Sequence, residues 1–145
     1  MDELRKKGLA KMNEVYGWEM PDMPGEYFAL TVDHLFGTIW SRPGLSMRDR
    51  RMMLIGVLAA QGMEELLEVQ GNAILHNEEM TREELREIAI FLSHYVGFPL
   101  GSKVDGAFKR VVAKRKKAEE KGSARSRKDN VNDAVQMHVG KTLDD

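Results

Sequence analysis

The sequence predicts an all-α fold, a single-domain bundle of about six helices, and three observations support this class. Apolar residues recur at helical spacing in one segment after another. No stretch alternates apolar and polar residues for long enough to indicate a strand. The 145 residues, of which 42% are hydrophobic and 31% charged, suit one folded globular domain rather than two.

The first two helices are predicted over Met1–Tyr16 and Tyr27–Trp40. The first is amphipathic and ends at Gly17, and a proline- and glycine-containing linker over 21–25 precedes the second. The second helix carries one apolar stripe and ends in the turn 41–44. A residue before proline is disfavoured in the helical region, and the glycine after it tolerates positive φ.

The third and fourth helices are predicted from Ser46 to about Gln61 and from Glu64 to about His76. Ser46 is a helix-capping residue type, and Gly62 separates the two helices. The third helix is apolar on most sides, which predicts a central position in the bundle.

The fifth helix begins at a capping box, because Thr81 and Glu84 can each satisfy the other's exposed backbone donor. It ends at 97–99, and a sixth helix is predicted from about Gly101 to Glu120. We therefore expect a helical domain over residues 1–120.

Residues 121–145 change in character, with small and charged residues and few apolar anchors. This composition predicts a flexible charged tail. Three valines lie four residues apart, which leaves open a short helix that docks on a partner; these are Val131, Val135 and Val139.

Composition excludes several classes of function. The chain has no cysteine, which excludes disulfides, thiolate zinc sites, cysteine nucleophiles and dithiol redox chemistry. Its 22 Lys+Arg and 23 Asp+Glu nearly cancel, so we expect neither nucleic acid nor membrane as a partner. The longest apolar run, Met52–Ala60, is far shorter than the roughly 20 residues of a membrane span. With no leader pattern at the N-terminus, the protein is expected to be cytosolic.

An unusual string, Phe-Gly-Thr-Ile-Trp-Ser-Arg-Pro-Gly-Leu, occupies 36–45. Three further strings follow it in order: Ser-Met-Arg-Asp-Arg at 46–50, Thr-Arg-Glu-Glu-Leu at 81–85 and Tyr-Val-Gly-Phe-Pro at 95–99. Over about Met1 to Val112 the chain resembles the carboxymuconolactone decarboxylase family, especially its gamma-carboxymuconolactone decarboxylase branch. The resemblance implies an all-helical homo-oligomer, a trimer or hexamer, with active sites near the subunit boundaries.

The resemblance also implies a small-molecule carboxylated substrate, a lactone in the decarboxylase branch, and no cofactor. Loss of carbon dioxide leaves electron density that spreads through the unsaturated ring to the lactone oxygen. The protein must hold the anion, stabilise that oxygen and deliver a proton. A cation, a neutral hydrogen-bond donor and a general acid are therefore the residue types to find.

Three residues match family positions that can supply these roles. His34 is the candidate general acid, Arg42 the candidate carboxylate clamp, and Trp40 the wall that excludes water. Each has a structural alternative: a histidine satisfied by backbone, an arginine that holds a turn or a subunit contact, and a packed tryptophan. Arg50 also matches a family arginine, and for it we favour an ion pair, either structural or at an interface.

The fourth helix departs from the family's Glu-Leu-x-x-His pattern. Gln70 stands at the histidine position and Leu66 at the glutamate position. A glutamine cannot transfer a proton at neutral pH, although its amide can donate a hydrogen bond to an oxyanion. The turn that follows differs too, because the family's Asn-Asn-Gly is replaced by the longer, glycine-free stretch 76–80.

Two functions stay open on these residues. The first is a cofactor-free lyase whose chemistry is altered by Gln70. The second is a non-catalytic oligomer, a small-molecule-binding or scaffold member of the same fold. The absence of cysteine excludes the thiol peroxidase reaction of the alkylhydroperoxidase branch. No metal is expected, because His34, His76 and His94 lack the spacing of a helical metal site. We interpret His76 as an exposed histidine in a turn. We interpret His94 as a structural histidine whose hydrogen bonds are satisfied.

Overall fold

The computed structural model describes residues 1–121 and contains helices and no strand within them, which confirms the all-α prediction. The elements are α1 (Glu3–Tyr16), α2 (Glu26–Ala29) with the π-helix (Leu30–Ile39) that continues it, α3 (Met47–Ala60), α4 (Glu64–His76), α5 (Arg82–Val96) and α6 (Phe98–Glu120). The predicted charged tail and its valine stripe lie outside the described residues, so the domain boundary after residue 120 stays a prediction.

Helix ends follow the local signals in the sequence. Ser46 Oγ accepts from the backbone N–H of Asp49 at 3.1 Å, and Thr81 and Glu84 form the reciprocal capping box. Gly97 has φ 92° between α5 and α6, a value that favours glycine. α6 begins at Phe98, three residues before the predicted start, because Pro99 fits a first helical turn, where its missing N–H costs nothing.

The second helix differs most from the sequence prediction. A regular helix was expected over Tyr27–Trp40, but from Leu30 onward the backbone is π-helical, and Trp40 N–H donates to the carbonyl of Leu35 at 2.8 Å. This wider spacing turns Val32 and Gly37, five residues apart, toward α1, and both are buried. The two helices approach so closely that a Cβ atom on Gly8 of α1 would lie 2.1 Å from the Val32 carbonyl oxygen.

Two hydrophobic clusters hold the chain together. The smaller one joins α1 to the π-helix, and the larger one is formed by α3, α4, α5 and α6. α4 is the central helix, with eight of its 13 residues buried. The prediction that α3 is central is wrong, because residues 1–121 leave its outer face uncovered: Met52, Met53 and Val57 are exposed.

Among the described residues, no helix combines the length and the apolar character that crossing a bilayer requires.

Candidate functional site

Three of the four candidate site residues lie in or just after the π-helix, and the fourth lies on α4. His34 is exposed on the π-helix, Trp40 is half-buried directly after it, and Arg42 is exposed in the following turn. Gln70 lies in the middle of α4 and is only 3% exposed. Within residues 1–121, no hydrogen bond or ion pair joins any two of the four to each other, so a single chain does not bring them into direct contact.

His34 lies on an exposed apolar stripe of the π-helix. Residues four and five positions away share its face in this geometry, and two of them, Leu30 and Ile39, are 60% and 38% exposed. The opposite face carries Val32 and Phe36, both fully buried against α1. An exposed imidazole flanked by uncovered apolar side chains is typical of a surface that another molecule covers.

Trp40 packs inward, with its ring stacked on Phe36 at a centroid distance of 6.2 Å. The backbone that follows is held by Arg50, whose Nη1 donates to the carbonyls of Trp40 and Leu45. Arg50 therefore holds this turn through carbonyl acceptors, and within the described residues it does not form the structural ion pair that was expected. The Arg42 guanidinium makes no hydrogen bond or ion pair in the part of the chain that is described, which leaves all its donors available to an anion.

Gln70 belongs to a buried polar cluster centred on Arg51 of α3. The Arg51 side chain is completely buried. Its Nη1 donates to Gln70 Oε1 at 2.8 Å, and its Nε and Nη2 donate to the two carboxylate oxygens of Glu79 at 2.9 and 2.7 Å. Because a guanidinium can only donate, it fixes the orientation of the Gln70 amide: the oxygen faces Arg51 and the NH2 group is the end that can donate elsewhere.

The turn after α4 completes this cluster. Glu78 has φ 54°, a left-handed conformation that suits glycine and strains other residues. The following residue, Glu79, thereby reaches Arg51. Asn77 Nδ2 donates to Glu79 at 3.2 Å and to the carbonyl of Glu14 in α1 at 2.7 Å. The cluster thus links α1, α3, α4 and the α4–α5 turn.

Sequence reasoning did not identify Arg51 or Glu79. One signal was present: Arg51 precedes Ile55 by four residues and so shares the buried face of α3. An arginine in register with core positions is almost never fully buried unless it is paired. The partner lies 28 residues away, in a turn whose conformation the sequence did not indicate.

An aromatic cluster lies between the π-helix and Arg51. The Tyr16 ring stacks on Trp18 at 4.5 Å and meets the edge of Phe36 at 5.5 Å. Burial raises the pKa of Tyr16, and the positive charge of Arg51 opposes that rise. The phenol therefore stays protonated at neutral pH and can donate a hydrogen bond. Within the described chain, the buried indole nitrogen of Trp18 has no acceptor.

The remaining histidines lie apart from these residues. His94 Nδ1 lies 2.8 Å from the carbonyl of Ile90, and its ring meets the edge of Phe98, as expected for a satisfied structural histidine. His76, predicted to be an exposed turn residue, is half-buried at the end of α4. Over the described stretch, no three histidine, aspartate or glutamate side chains are grouped as metal ligands.

Comparison with known proteins places these features in a family. The model of the carboxymuconolactone decarboxylase family matches residues 25–109, which include the π-helix, Arg51 and Gln70. The chain is 33% identical over 107 residues to a 4-carboxymuconolactone decarboxylase of Acinetobacter baylyi, a match that covers 68% of this chain and 79% of that protein. No solved structure matches significantly. With a family model that spans more than half of its residues and a relative at this level of identity, the chain belongs to the carboxymuconolactone decarboxylase family.

Proposed function

We propose that this protein is a carboxymuconolactone decarboxylase-like, cofactor-free lyase that acts on a small carboxylated lactone or a related cyclic acid. Its chemistry is altered at position 70. Family membership and the decarboxylase named above support the reaction class. The observation that carries the altered chemistry is the hydrogen bond from Arg51 to Gln70, since it fixes a donor where the family pattern has a proton-transferring group.

In this proposal Arg42 binds a substrate carboxylate and Trp40 limits the access of water. The bond to the departing carboxylate breaks, carbon dioxide leaves, and the electron pair moves through the ring to the lactone oxygen. His34 then supplies the proton that the ring carbon accepts. The exposed positions of His34 and Arg42, which leave both groups free to meet a ligand, support these roles.

Gln70 can perform one of the two roles that a histidine could perform at this position: it can donate a hydrogen bond, but it cannot transfer a proton. A neutral imidazole at this position would accept from Arg51 through one ring nitrogen and would carry its proton on the other nitrogen. The glutamine amide copies this arrangement, because its oxygen accepts from Arg51 and its NH2 group donates. It can stabilise a developing oxyanion but cannot exchange a proton with it, so we expect slow turnover of a standard lactone.

We further propose that the protein is a homo-oligomer, a trimer or hexamer, in which a neighbouring subunit completes the site. The support is uncovered apolar surface on two sides of the chain. One side is the stripe beside His34, and the other is the α3–α5 face, where a cleft of about 350 Å³ lies between the two helices. Of the residues that line this cleft, Met52 and Phe91 are exposed, and the same two helices expose further apolar side chains: Met53 and Val57 on α3, and Ile90 and Tyr95 on α5.

The alternative function is a non-catalytic binding or scaffold protein, and one observation favours it. Gln70 is 3% exposed and its oxygen is already occupied, so very little of the residue is left to meet a substrate. In this alternative the Arg51 cluster serves stability alone, and the exposed apolar surfaces serve assembly.

Decarboxylation of 4-carboxymuconolactone and related acids, followed as carbon dioxide release, separates the two functions. For the lyase we expect measurable turnover that falls by ~100-fold or more in His34→Ala, the usual range for losing a general acid. His94→Ala is the matched control, an exposed histidine outside the site, and should keep full activity. Absence of turnover with every acid tested, from a folded oligomer, would support the scaffold.

A further inference from the structure

A groove between α5 and α6 combines an apolar floor with a basic rim. It has a volume of about 300 Å³, and neither His34 nor Gln70 lines it. The floor is made by Leu85, Phe108, Val112 and Ala113, and the charged rim by Arg82, Arg86, Lys109, Lys116 and Asp105. The rim therefore carries four cationic side chains and one carboxylate, so the groove favours an occupant that is both apolar and acidic.

Half of this positive charge is not neutralised within the described residues. Arg82 is paired with Glu119 at 2.6 Å, and Lys109 with Asp105 at 2.8 Å. Arg86 and Lys116 have no ion-pair partner in the described chain and flank the floor from α5 and α6. An acidic segment laid along the groove would therefore gain two charge contacts in addition to the burial of apolar side chains.

We propose that this groove is the docking site for residues 129–143 of the same chain. The stretch 129–143 contains two aspartates, Asp129 and Asp133, and one lysine, Lys141, so its net side-chain charge is negative, opposite to that of the rim. Val131, Val135 and Val139 recur every fourth residue, and in a helix they form one apolar stripe that matches the floor. The inference is independent of the lyase proposal, because it uses none of the same residues.

Chain length favours a contact within one subunit. α6 ends at Glu120, and residues 122–128 leave a connection that falls within the two to eight residues usual between antiparallel helices. The groove follows α6 from Asp105 to Lys116, about 16 Å at helical rise, and a helix over 129–143 would be about 22 Å long. An antiparallel path brings Asp133 toward Lys116, at the end of the groove where α6 finishes.

Disulfide trapping tests the contact, since the chain has no cysteine of its own. In the full-length protein, Ala113→Cys with Val135→Cys places one thiol on the groove floor and one on the valine stripe. We expect a bond within one chain that forms at least tenfold faster than in the control pair, Lys114→Cys with Val135→Cys, since Lys114 is adjacent but outside the groove. Equal rates, or bonds only between chains, would overturn the proposal; the latter would assign the groove to a second copy.

Charge reversal gives a second readout. In full-length protein, Lys116→Glu should speed amide hydrogen exchange over 131–139 by about three- to tenfold, the range of one lost surface ion pair plus a new repulsion. Lys114→Glu should leave exchange unchanged, and adding Asp133→Lys to Lys116→Glu should restore it. Unchanged exchange in Lys116→Glu, or the same acceleration in the Lys114→Glu control, would contradict docking in this groove.

Discussion

The Arg51–Glu79 pair gives the sharpest test of how the core is held together. Glu79→Ala removes both carboxylate oxygens from a guanidinium that is completely buried and leaves it one neutral acceptor, Gln70. Loss of one partner from a buried ion pair typically costs about 3–5 kcal/mol, because an uncompensated charge stays in the interior. Glu79→Gln also removes the negative charge but keeps one oxygen acceptor, so it should cost about 1 kcal/mol less than Glu79→Ala.

Urea unfolding followed by far-ultraviolet circular dichroism measures these costs as changes in the free energy of unfolding. Arg48→Ala is the control, since it breaks an exposed ion pair from α3, with Glu84 at 3.3 Å, and should cost less than about 1 kcal/mol. The double variant Arg51→Met with Glu79→Met should recover most of the stability lost in Glu79→Ala, because no charge is then buried.

A loss below about 1 kcal/mol in Glu79→Ala would refute this reasoning. It would mean that Arg51 reaches solvent or another acceptor in the folded protein. A double variant that is less stable than Glu79→Ala would also contradict the reasoning. It would show that the cluster contributes more to the free energy of unfolding than the neutralisation of one buried charge by the other.

Three further predictions concern single backbone or charge features. Glu78→Gly should raise the melting temperature by about 3 °C, equivalent to about 1 kcal/mol, because glycine relieves the left-handed strain. Gly8→Ala should cost about 3 kcal/mol in urea unfolding, since its Cβ would clash with a π-helix carbonyl, whereas Gly56→Ala, with open space around it, should be neutral or stabilising. Arg5 lowers the pKa of Asp33, so this ion pair stabilises the fold above about pH 4, and the stabilisation is lost as the pH falls through the lowered pKa. When unfolding is measured over a range of pH, Asp33→Asn should therefore reduce the loss of stability in acid.

Each of these predictions has an outcome that contradicts it. A lower melting temperature for Glu78→Gly would show that the glutamate side chain contributes more to stability than relief of the backbone strain does. Equal stability of Gly8→Ala and Gly56→Ala would show that α1 does not approach the π-helix so closely. An acid unfolding profile that Asp33→Asn leaves unchanged would place the pH dependence on other carboxylates.

Much of the fold could be predicted because its signals are local. The capping box at Thr81, the serine cap at Ser46 and the glycine at 17 each depend on neighbouring residues, and each ends or begins a helix as predicted. The π-helix could not be predicted, because no local pattern in the sequence indicated it, and its packing on α1 joins residues distant in sequence, Gly8 and Val32. The same holds for α3, whose apolar residues indicate burial without saying whether this chain or a neighbour covers them.

The candidate site was predicted only in part. The family resemblance located His34, Trp40 and Arg42, which lie in or beside one short helix, and it identified Gln70 as the departure. It did not indicate that Gln70 is held by Arg51, because that contact joins α3 to α4 and depends on the carboxylate of Glu79 across an unusual turn. The spacing of residue types along a short segment does not indicate which side chains distant in sequence will contact each other.

The most direct test of the central claim is the turnover of 4-carboxymuconolactone by Gln70→His beside the unaltered protein. Arg51 would orient the new imidazole as it orients the amide, so the account predicts at least a tenfold gain that is lost again when His34→Ala is added. A folded, assembled Gln70→His protein with turnover no faster than the original would contradict it, because position 70 would then not take part in the reaction.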